Sequence, residues 1–567
     1  MILKTHDTAE ELYKLALIPI FLGFLSSIAV IVMIQLYQIF SYIFETIVKY
    51  SWYLILVLPL SGLMASFILN QYLTKDKFSG CGTDLMIETY HHRNGIIDIK
   101  DVLIKTLSST ITLGFGGSGG LEGPSLLLGG GTASYILEKL KLKPKDIKLL
   151  YLCGAAAGFT ALFKAPFTGI LLALEIPYRR DIEKDAFIPA ALSSVSAYIF
   201  SVLFFGGESI FSTNASAIIQ THLLFHSIFL GIITSIIALV FIKSLEKTKK
   251  IFELISSKTN LIISVIIGGF TIGLIGIFYP QVLGIGYDTI KTITSTSNGE
   301  TFIQTLIIIL ILKIVATSLT ISSRGSVGLF LPALYVGGLS GLIYAQALNL
   351  HPASVYAIIG MGAVVAATTK SLLTGIVFVA ETVGSSPIMF ALLSASISYF
   401  LTGRNSFYES QLNKKPSNKM EALMELEEFF RERKDLLPNL KISSIKLRKP
   451  VYFTVDTMVK DVLKTVRTNV YRTYPIVNDK NQILGVIDIE SIFTIEKEKW
   501  DISISDLELK KPLLATREQV LIEVVEKMLE TSEDHVFIVN NMEDRIIEGV
   551  ITASDIIKIF VEKMVSI

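Results

Sequence analysis

Charged residues and cysteines are scarce in this 567-residue chain. Only 18% of the residues are charged, the formal net charge is +1, and Cys81 and Cys153 are the only cysteines. Two cysteines, both in apolar sequence, do not indicate a disulfide framework or a zinc site. The near-neutral charge excludes the basic balance that is typical of nucleic-acid binding proteins. We find no nucleophile beside a base, no phosphate-binding loop and no cluster of metal ligands, so the sequence predicts neither an enzyme nor a metal site.

Hydrophobic residues make up 51% of the chain, and the mean hydropathy is +0.57. The uncharged run over residues 15–44 exceeds the roughly 20 residues that span a bilayer. It lacks a small-residue cleavage site after a short apolar core, so we predict a retained span and not a signal peptide. Together with further runs, it predicts a multi-pass protein of the cell membrane. These runs are 51–74, 186–207, 212–242, 259–287 and 384–403.

A glycine-rich segment with a single carboxylate interrupts the apolar sequence at residues 116–124, which read Gly-Gly-Ser-Gly-Gly-Leu-Glu-Gly-Pro. Its glycines allow close backbone approach, and Pro124 suits the first turn of a helix. A helix that begins inside a membrane presents unpaired N–H groups and a positive dipole end, which together bind anions. A charge at this depth costs roughly 3 kcal/mol. We therefore predict that Glu122 is functional and lies where an anion would bind.

The pattern occurs twice in the chain. A shift of 208 residues places 120–124 on 328–332, which read Gly-Leu-Phe-Leu-Pro, and a shift of 206 residues places 168–175 on 374–381. Two such halves indicate duplicated membrane repeats in which interrupted helices meet near the bilayer midplane. The sequence thus predicts an all-helical membrane domain with an inverted internal repeat.

The repeat also relates two pairs of charged residues. Glu175 corresponds to Glu381, and we expect both to be acceptors at helix ends. Lys105 corresponds to Lys313, and we expect both to extend to a membrane interface, with attraction of anions toward a pore mouth as the alternative. The alternative for the glycines is close helix packing alone, but packing does not explain the carboxylate of Glu122.

These motifs resemble the CLC family of chloride channels and chloride/proton exchangers. Residues 120–124 are similar to the family's GREGP segment, with Leu121 in place of Arg, and residues 328–332 match its GxFxP segment. Tyr408 lies where the family has its pore tyrosine, before the last helix. The three motifs occur in the family's order and spacing, and the resemblance covers about residues 10 to 430.

The resemblance implies a homodimer in the lipid bilayer with one pore per subunit. Glu122 would be the gating carboxylate that competes with chloride. The amides of Leu329 and Phe330 and the Tyr408 hydroxyl would hold a central anion, and the amides near Gly123 would hold an outer one. Neutral donors of this kind bind a halide without trapping it, as permeation requires.

The sequence departs from the family at the first pore segment, GSGIP, which aligns with residues 80–84. Here the Cys81 thiol replaces a serine hydroxyl at the central anion, while the backbone amides of the same turn, at Gly82, are retained. Because S–H is a weaker donor than O–H, we expect a shift in anion selectivity.

The second departure concerns proton coupling. Exchangers of the family carry an inner glutamate after the position of Glu175, and this chain has Ile176 there. Isoleucine cannot carry a proton, so the sequence favours a channel or a weakly coupled exchanger. Stoichiometric chloride/proton antiport remains the alternative, because water or another acid could replace the missing step.

The chain becomes polar after Tyr408, and two similar strand–turn–strand–helix units follow. Residues 474–479 lead through 485–488, and residues 535–540 lead through 549–552. The pair resembles two CBS domains, a module that often binds adenine nucleotides and is common behind CLC pores. We predict a transmembrane domain over 1–408, a helical linker over 409–441, and CBS domains over 442–497 and 498–567.

In CBS domains a Thr and an Asp three residues later contact phosphate or ribose. Thr552 and Asp555 fit this spacing in the second unit, whereas the first unit has Asp488 and Ser491. Adenine nucleotide is a candidate ligand of the pair, and a purely structural dimerisation platform that couples the two pores is the alternative. Either interpretation places the CBS pair in the cytosol.

A rival interpretation is a cation pathway with CBS regulation. It would need several acidic groups that converge in the membrane. Apart from Glu122, Glu175 and Glu381, the apolar runs offer almost none, so we expect transport of chloride or a similar small anion.

Overall fold

The computed structural model describes residues 13–75, 77, 80–207, 221–295, 302–383, 387–415, 419–420, 422–424, 426–427, 440–468, 471, 473–488, 500, 502–507, 509–531 and 533–565. The chain forms two compact units, Met1–Leu412 and Asn413–Ile567. Most of the predicted helical linker, and Ser491 of the first CBS unit, lie outside the described residues.

Helices account for the first half of the membrane unit. Their bounds are α1 Ile18–Tyr50, α2 Leu58–Leu73, α3 Gly82–His92, α4 Ile99–Gly114, α5 Glu122–Lys139, α6 Pro144–Phe163, α7 Pro166–Glu175 and α8 Phe187–Phe205. Proline begins α6 and α7 and lies in the first turn of α5, where its missing N–H costs nothing.

The second half repeats this order. Its helices are α9 Thr221–Lys258, α10 Leu261–Phe278, α11 Tyr287–Ser295, α12 Ile303–Ser322, α13 Phe330–Ala347, α14 Ala353–Thr369, α15 Leu372–Val383 and α16 Ile388–Leu401. Shifting α5 by 208 residues gives the bounds of α13, which confirms the predicted repeat. Among the described residues, seven helices are long and apolar enough to cross a membrane, as expected of a multi-pass protein.

Glycines bring α5 and α6 into backbone contact. A Cβ atom on Gly129 would lie 2.2 Å from the carbonyl oxygen of Gly154, and one on Gly158 would lie 2.1 Å from that of Ser125. Small residues at such crossings allow van der Waals packing, which drives helix association in lipid. Helix packing therefore explains these glycines. It does not explain the glycine-rich segment before α5, which carries the carboxylate of Glu122.

The second unit contains two three-stranded sheets of the same topology. In the first, β1 (Phe453–Thr454) is parallel to β2 (Thr473–Val477), which is antiparallel to β3 (Ile483–Asp488). The second sheet repeats this with β4 Leu514–Thr516, β5 His535–Val539 and β6 Ile547–Thr552. The described helices of this unit include α17 Val459–Thr468, α18 Leu521–Thr531 and α19 Ala553–Val565. The two similar units predicted from the sequence are therefore present.

Candidate anion site

Three helices begin at one place inside the membrane unit. A Cβ atom on Gly82, the first residue of α3, would lie 2.9 Å from the carbonyl carbon of Gly123 in α5. A Cβ atom on Gly123 would lie 3.1 Å from the Cα of Gly328, which precedes α13. Only glycine permits this approach. The N-terminal N–H groups of α3, α5 and α13 therefore converge, and such groups attract anions.

The segments before α5 and α13 pair directly with each other. The Gly120 N–H donates to the Gly328 carbonyl at 3.1 Å, and the Gly328 N–H donates to the Gly120 carbonyl at 2.7 Å. This antiparallel bridge joins equivalent residues of the two repeats, so a local two-fold relates them. Its two hydrogen bonds satisfy backbone N–H and carbonyl groups of these non-helical segments, at a depth where lipid offers no hydrogen-bond partners.

Glu122 is fully buried at this junction. The backbone N–H of Phe330, the first residue of α13, donates to Glu122 Oε1 at 2.6 Å, and the N–H of Leu331 also faces the carboxylate. Glu122 Oε2 forms no hydrogen bond within the described part of the chain. A carboxylate of one repeat thus occupies the N–H groups of the other.

Tyr408 reaches the same region from the end of the membrane unit. Its ring is buried, and its hydroxyl lies near the side chains of Thr83 and Cys81. The N–H of Ser410 donates to Asp84 Oδ1 at 3.1 Å, which ties the segment after Tyr408 to the first turn of α3. Tyr408 therefore faces the protein interior and not lipid.

The structure brings all the sequence-predicted pore residues to this junction. Cys81 and Leu329 border one cavity beside it, and each immediately precedes a converging helix. The complete set is Cys81, Gly82, Glu122, Gly123, Leu329, Phe330 and Tyr408. Their roles in binding and gating remain predictions.

Comparison with known proteins identifies the fold. The family model described as "Voltage gated chloride channel" matches residues 61–403. The chain belongs to the CLC family. CBS domain models match residues 442–498 and 504–562. The protein is therefore a CLC membrane domain, of a family that transports anions, followed by a CBS pair.

Two relatives and one solved structure show the extent of the similarity. "Uncharacterized protein MJ0305" of Methanocaldococcus jannaschii is 28% identical over 355 residues, which are 63% of this chain and 87% of the relative. "H(+)/Cl(-) exchange transporter ClcA" of Klebsiella pneumoniae (strain 342) is 29% identical over 330 residues, 55% of this chain and 68% of the relative. A crystal structure of a eukaryotic CLC transporter matches the fold with a TM-score of 0.61 at 16% identity, covering 96% of this chain and 98% of that one. The second of these relatives is named as an exchange transporter.

Lys313 is a residue of the CLC unit that the sequence interpretation placed wrongly. Its side chain does not extend to an interface but is fully buried, and Lys105 is 3% exposed. The Lys313 ammonium donates to the carbonyls of Val282 at 3.1 Å and Gly284 at 3.0 Å, and its charge interacts with Glu122. These partners lie about 30 residues away, in the segment between α10 and α11, at separations for which helical periodicity gives no signal.

Glu175 and Glu381 are acceptors at helix ends, as predicted. Glu175 accepts hydrogen bonds from the N–H and the hydroxyl of Thr374, at 2.9 and 2.7 Å. Glu381 accepts them from the same groups of Thr168, at 2.8 and 2.6 Å. These reciprocal contacts again follow the local two-fold. Ile176, next to Glu175, is fully buried.

The second compact unit, which contains the CBS pair, has a half-open cavity of about 290 Å³. Its lining includes the cationic residues Lys419, Arg448 and Lys449, the rings of Tyr471, His535 and Phe537, and Thr552. The Thr552 hydroxyl donates to Asp555 Oδ2 at 2.7 Å, and Arg448 forms an ion pair with the other oxygen of Asp555. Thr552 thus lines the cavity. Asp555 does not line it, but binds Thr552 and Arg448, which do. In the first unit, Asp488 instead pairs with Lys510.

Proposed function

We propose that this CLC protein moves chloride or a similar small anion across the membrane, in a channel-like or weakly proton-coupled mode gated by Glu122. The observation that supports the proposal is the 2.6 Å hydrogen bond from the Phe330 N–H to Glu122 Oε1. A halide would accept the same N–H group, so the tethered carboxylate and a mobile anion compete for one place. The remaining donors are backbone amides and hydroxyls, which bind anions weakly enough to release them.

The weak coupling to protons is inferred from Ile176. Its side chain is buried beside Glu175 and carries no ionisable group, and its carbonyl accepts a hydrogen bond from Gln411 at 2.8 Å. A relative is named as an H(+)/Cl(-) exchange transporter, so stoichiometric antiport is the second candidate.

Flux measurements separate the two modes. In liposomes loaded with chloride, the purified full chain is expected to release chloride with little accompanying proton movement, because Ile176 cannot relay protons. Ile176→Glu should raise the ratio of protons to chloride, whereas Ile176→Gln, of similar size but without an acid, should not. Uphill proton transport by the wild type, driven by a chloride gradient, would exclude the channel-like mode.

We also propose that the protein is a homodimer, as the family resemblance implies. Helices α7, α8, α15 and α16 of the CLC unit carry large exposed apolar side chains, and they flank the reciprocal contacts of Glu175 and Glu381. Phe167, Ile188, Leu203, Met389 and Phe400 are examples. A second copy would cover this surface in the membrane.

The CBS pair is proposed to lie in the cytosol and to bind an adenine nucleotide. The volume of the cavity is close to the lower end of the range that is typical of small-molecule sites. Its three cations suit phosphates, its rings suit a base, and the Thr552 hydroxyl can contact phosphate or ribose.

Nucleotide binding is tested by thermal shift of the purified full chain. AMP or ATP is expected to raise the melting temperature of the CBS pair, since a ligand that binds only the folded state stabilises it. Lys449→Met should weaken nucleotide affinity about tenfold, because a charge-assisted hydrogen bond is worth roughly 1.5 kcal/mol. Lys446→Met, three residues earlier and exposed outside the cavity lining, is the matched control. If neither nucleotide shifts the transition, the pair is a structural platform.

A further inference from the structure

A cavity of about 200 Å³ opens beside the anion site of the CLC unit. One of its walls is formed by Gly80, Cys81 and Leu329, which belong to the converging helix starts. The other walls carry five charged side chains: Asp84, Lys249, Glu253, Arg324 and Glu409. An anion in this cavity would be adjacent to Cys81 and would meet both signs of charge.

Lys249 and Glu409 form an ion pair in this cavity, with 2.7 Å between Nζ and Oε1. Lys249 belongs to α9, its charge interacts with that of Asp84, and Cys81 lines the same cavity. Glu409 directly follows Tyr408, and the next residue, Ser410, is held by Asp84. The pair therefore joins a cation near the anion site to the segment that carries the pore tyrosine.

The arrangement resembles the one at Glu122 in its chemistry. In both places a carboxylate fixed to the chain occupies a donor that a mobile anion could use. The side chain of Glu409 is 73% exposed and that of Lys249 is 28% exposed. Ion pairs this accessible to water are weak, so a chloride ion can replace the carboxylate at Lys249.

We propose that Lys249 draws anions into this cavity toward the anion site, and that Glu409 competes with them for Lys249. The inference rests on the proposed transport of chloride through the CLC unit. It adds a recruiting cation and a second tethered competitor, both separate from the gate at Glu122.

Chloride efflux from liposomes that contain the purified full chain tests this pair. A unit charge at roughly 7 Å in water changes the local anion concentration about threefold. Glu409→Gln is therefore expected to raise flux about threefold at low ionic strength and subsaturating chloride, and Lys249→Gln to lower it about threefold. Both effects should shrink in the presence of about 0.5 M of an impermeant salt, which screens the charges.

The double variant decides whether the two residues act as a pair. If Glu409 acts by occupying Lys249, then Glu409→Gln raises flux much less in the Lys249→Gln background than in the wild type. An undiminished rise in that background would overturn the proposal, because the carboxylate would then act as a general repulsive charge. Glu253→Gln is the matched control. Glu253 lies in α9, one turn after Lys249, and its substitution removes the same charge from the same cavity as Glu409→Gln does. A rise equal to that of Glu409→Gln would also overturn it.

Failure of this inference can be told from failure of the proposed gate. If Glu122→Gln accelerates flux but the Lys249 and Glu409 variants behave as wild type, only the recruiting pair is wrong. If Glu122→Gln has no effect while the pair behaves as described, only the gate is wrong. If no variant carries chloride, calorimetric titration with chloride tests Lys249 directly, and an affinity unchanged in Lys249→Gln would reject its role.

Discussion

Glu122→Gln is expected to raise chloride flux at least tenfold. The carboxylate accepts the Phe330 N–H at 2.6 Å and is fully buried among the helix starts. Glutamine preserves its size but removes the negative charge that competes with chloride. Charge-assisted hydrogen bonds are about 1 to 2 kcal/mol stronger than neutral ones, and each 1.4 kcal/mol is a factor of ten in occupancy. Loss of the charge therefore leaves the N–H groups of α13 to the anion.

Glu175→Gln is the control for this result. Glu175 is likewise a buried carboxylate that accepts hydrogen bonds at a helix start, from Thr374. Its hydrogen-bond donors belong to α15 and not to α3, α5 or α13, so its substitution should lower thermal stability without accelerating flux. Equal flux in wild type and Glu122→Gln would show that Glu122 does not gate the pathway. Acceleration by both variants would show a general loosening of the CLC unit.

Much of the CLC unit could be predicted because its determinants are local or repeated. The apolar runs reveal the spans, and the recurrence of Gly120 at Gly328 reveals two halves whose helices begin alike. The special chemistry of Glu122 follows from its isolation in apolar sequence. In the structure, Gly120 and Gly328, which correspond in the sequence repeat, are hydrogen-bonded to each other.

The unpredicted features depend on contacts between segments that share no pattern. The Lys249–Glu409 ion pair joins residues 160 positions apart, and no periodicity within α9 indicates it. Arg448 pairs with Asp555 over 107 positions, which changes the role expected of Asp555 at the CBS cavity. Long side chains in particular can extend to an interface or turn inward, and only the tertiary arrangement decides between the two.

Lys313→Met is expected to reduce chloride flux at least tenfold. Lys313 is a long side chain that turns inward rather than extending to an interface. Its buried ammonium donates to the Val282 and Gly284 carbonyls and interacts with Glu122. Gly284 also accepts the N–H of Gly119 at 3.3 Å, so the lysine supports the segment that leads to α5. Opposite charges inside a protein attract by about 2 kcal/mol at roughly 8 Å and an effective dielectric of about 20. Removing this cation therefore lowers the affinity of the buried site for anions.

A second buried lysine separates this electrostatic effect from simple destabilisation. Lys370 is 3% exposed, and its ammonium donates to the Tyr399 carbonyl and the Thr402 hydroxyl. The charged groups that act on this ammonium are Arg179 and Arg180 rather than Glu122. Lys370→Met should lower thermal stability much as Lys313→Met does, yet retain chloride flux per folded molecule. Lys313→Met should also weaken chloride binding in the Glu122→Gln background, where no carboxylate remains to be balanced. If chloride affinity in that background is independent of residue 313, the lysine serves only to hold the loop around Gly284, and its charge plays no part in anion binding.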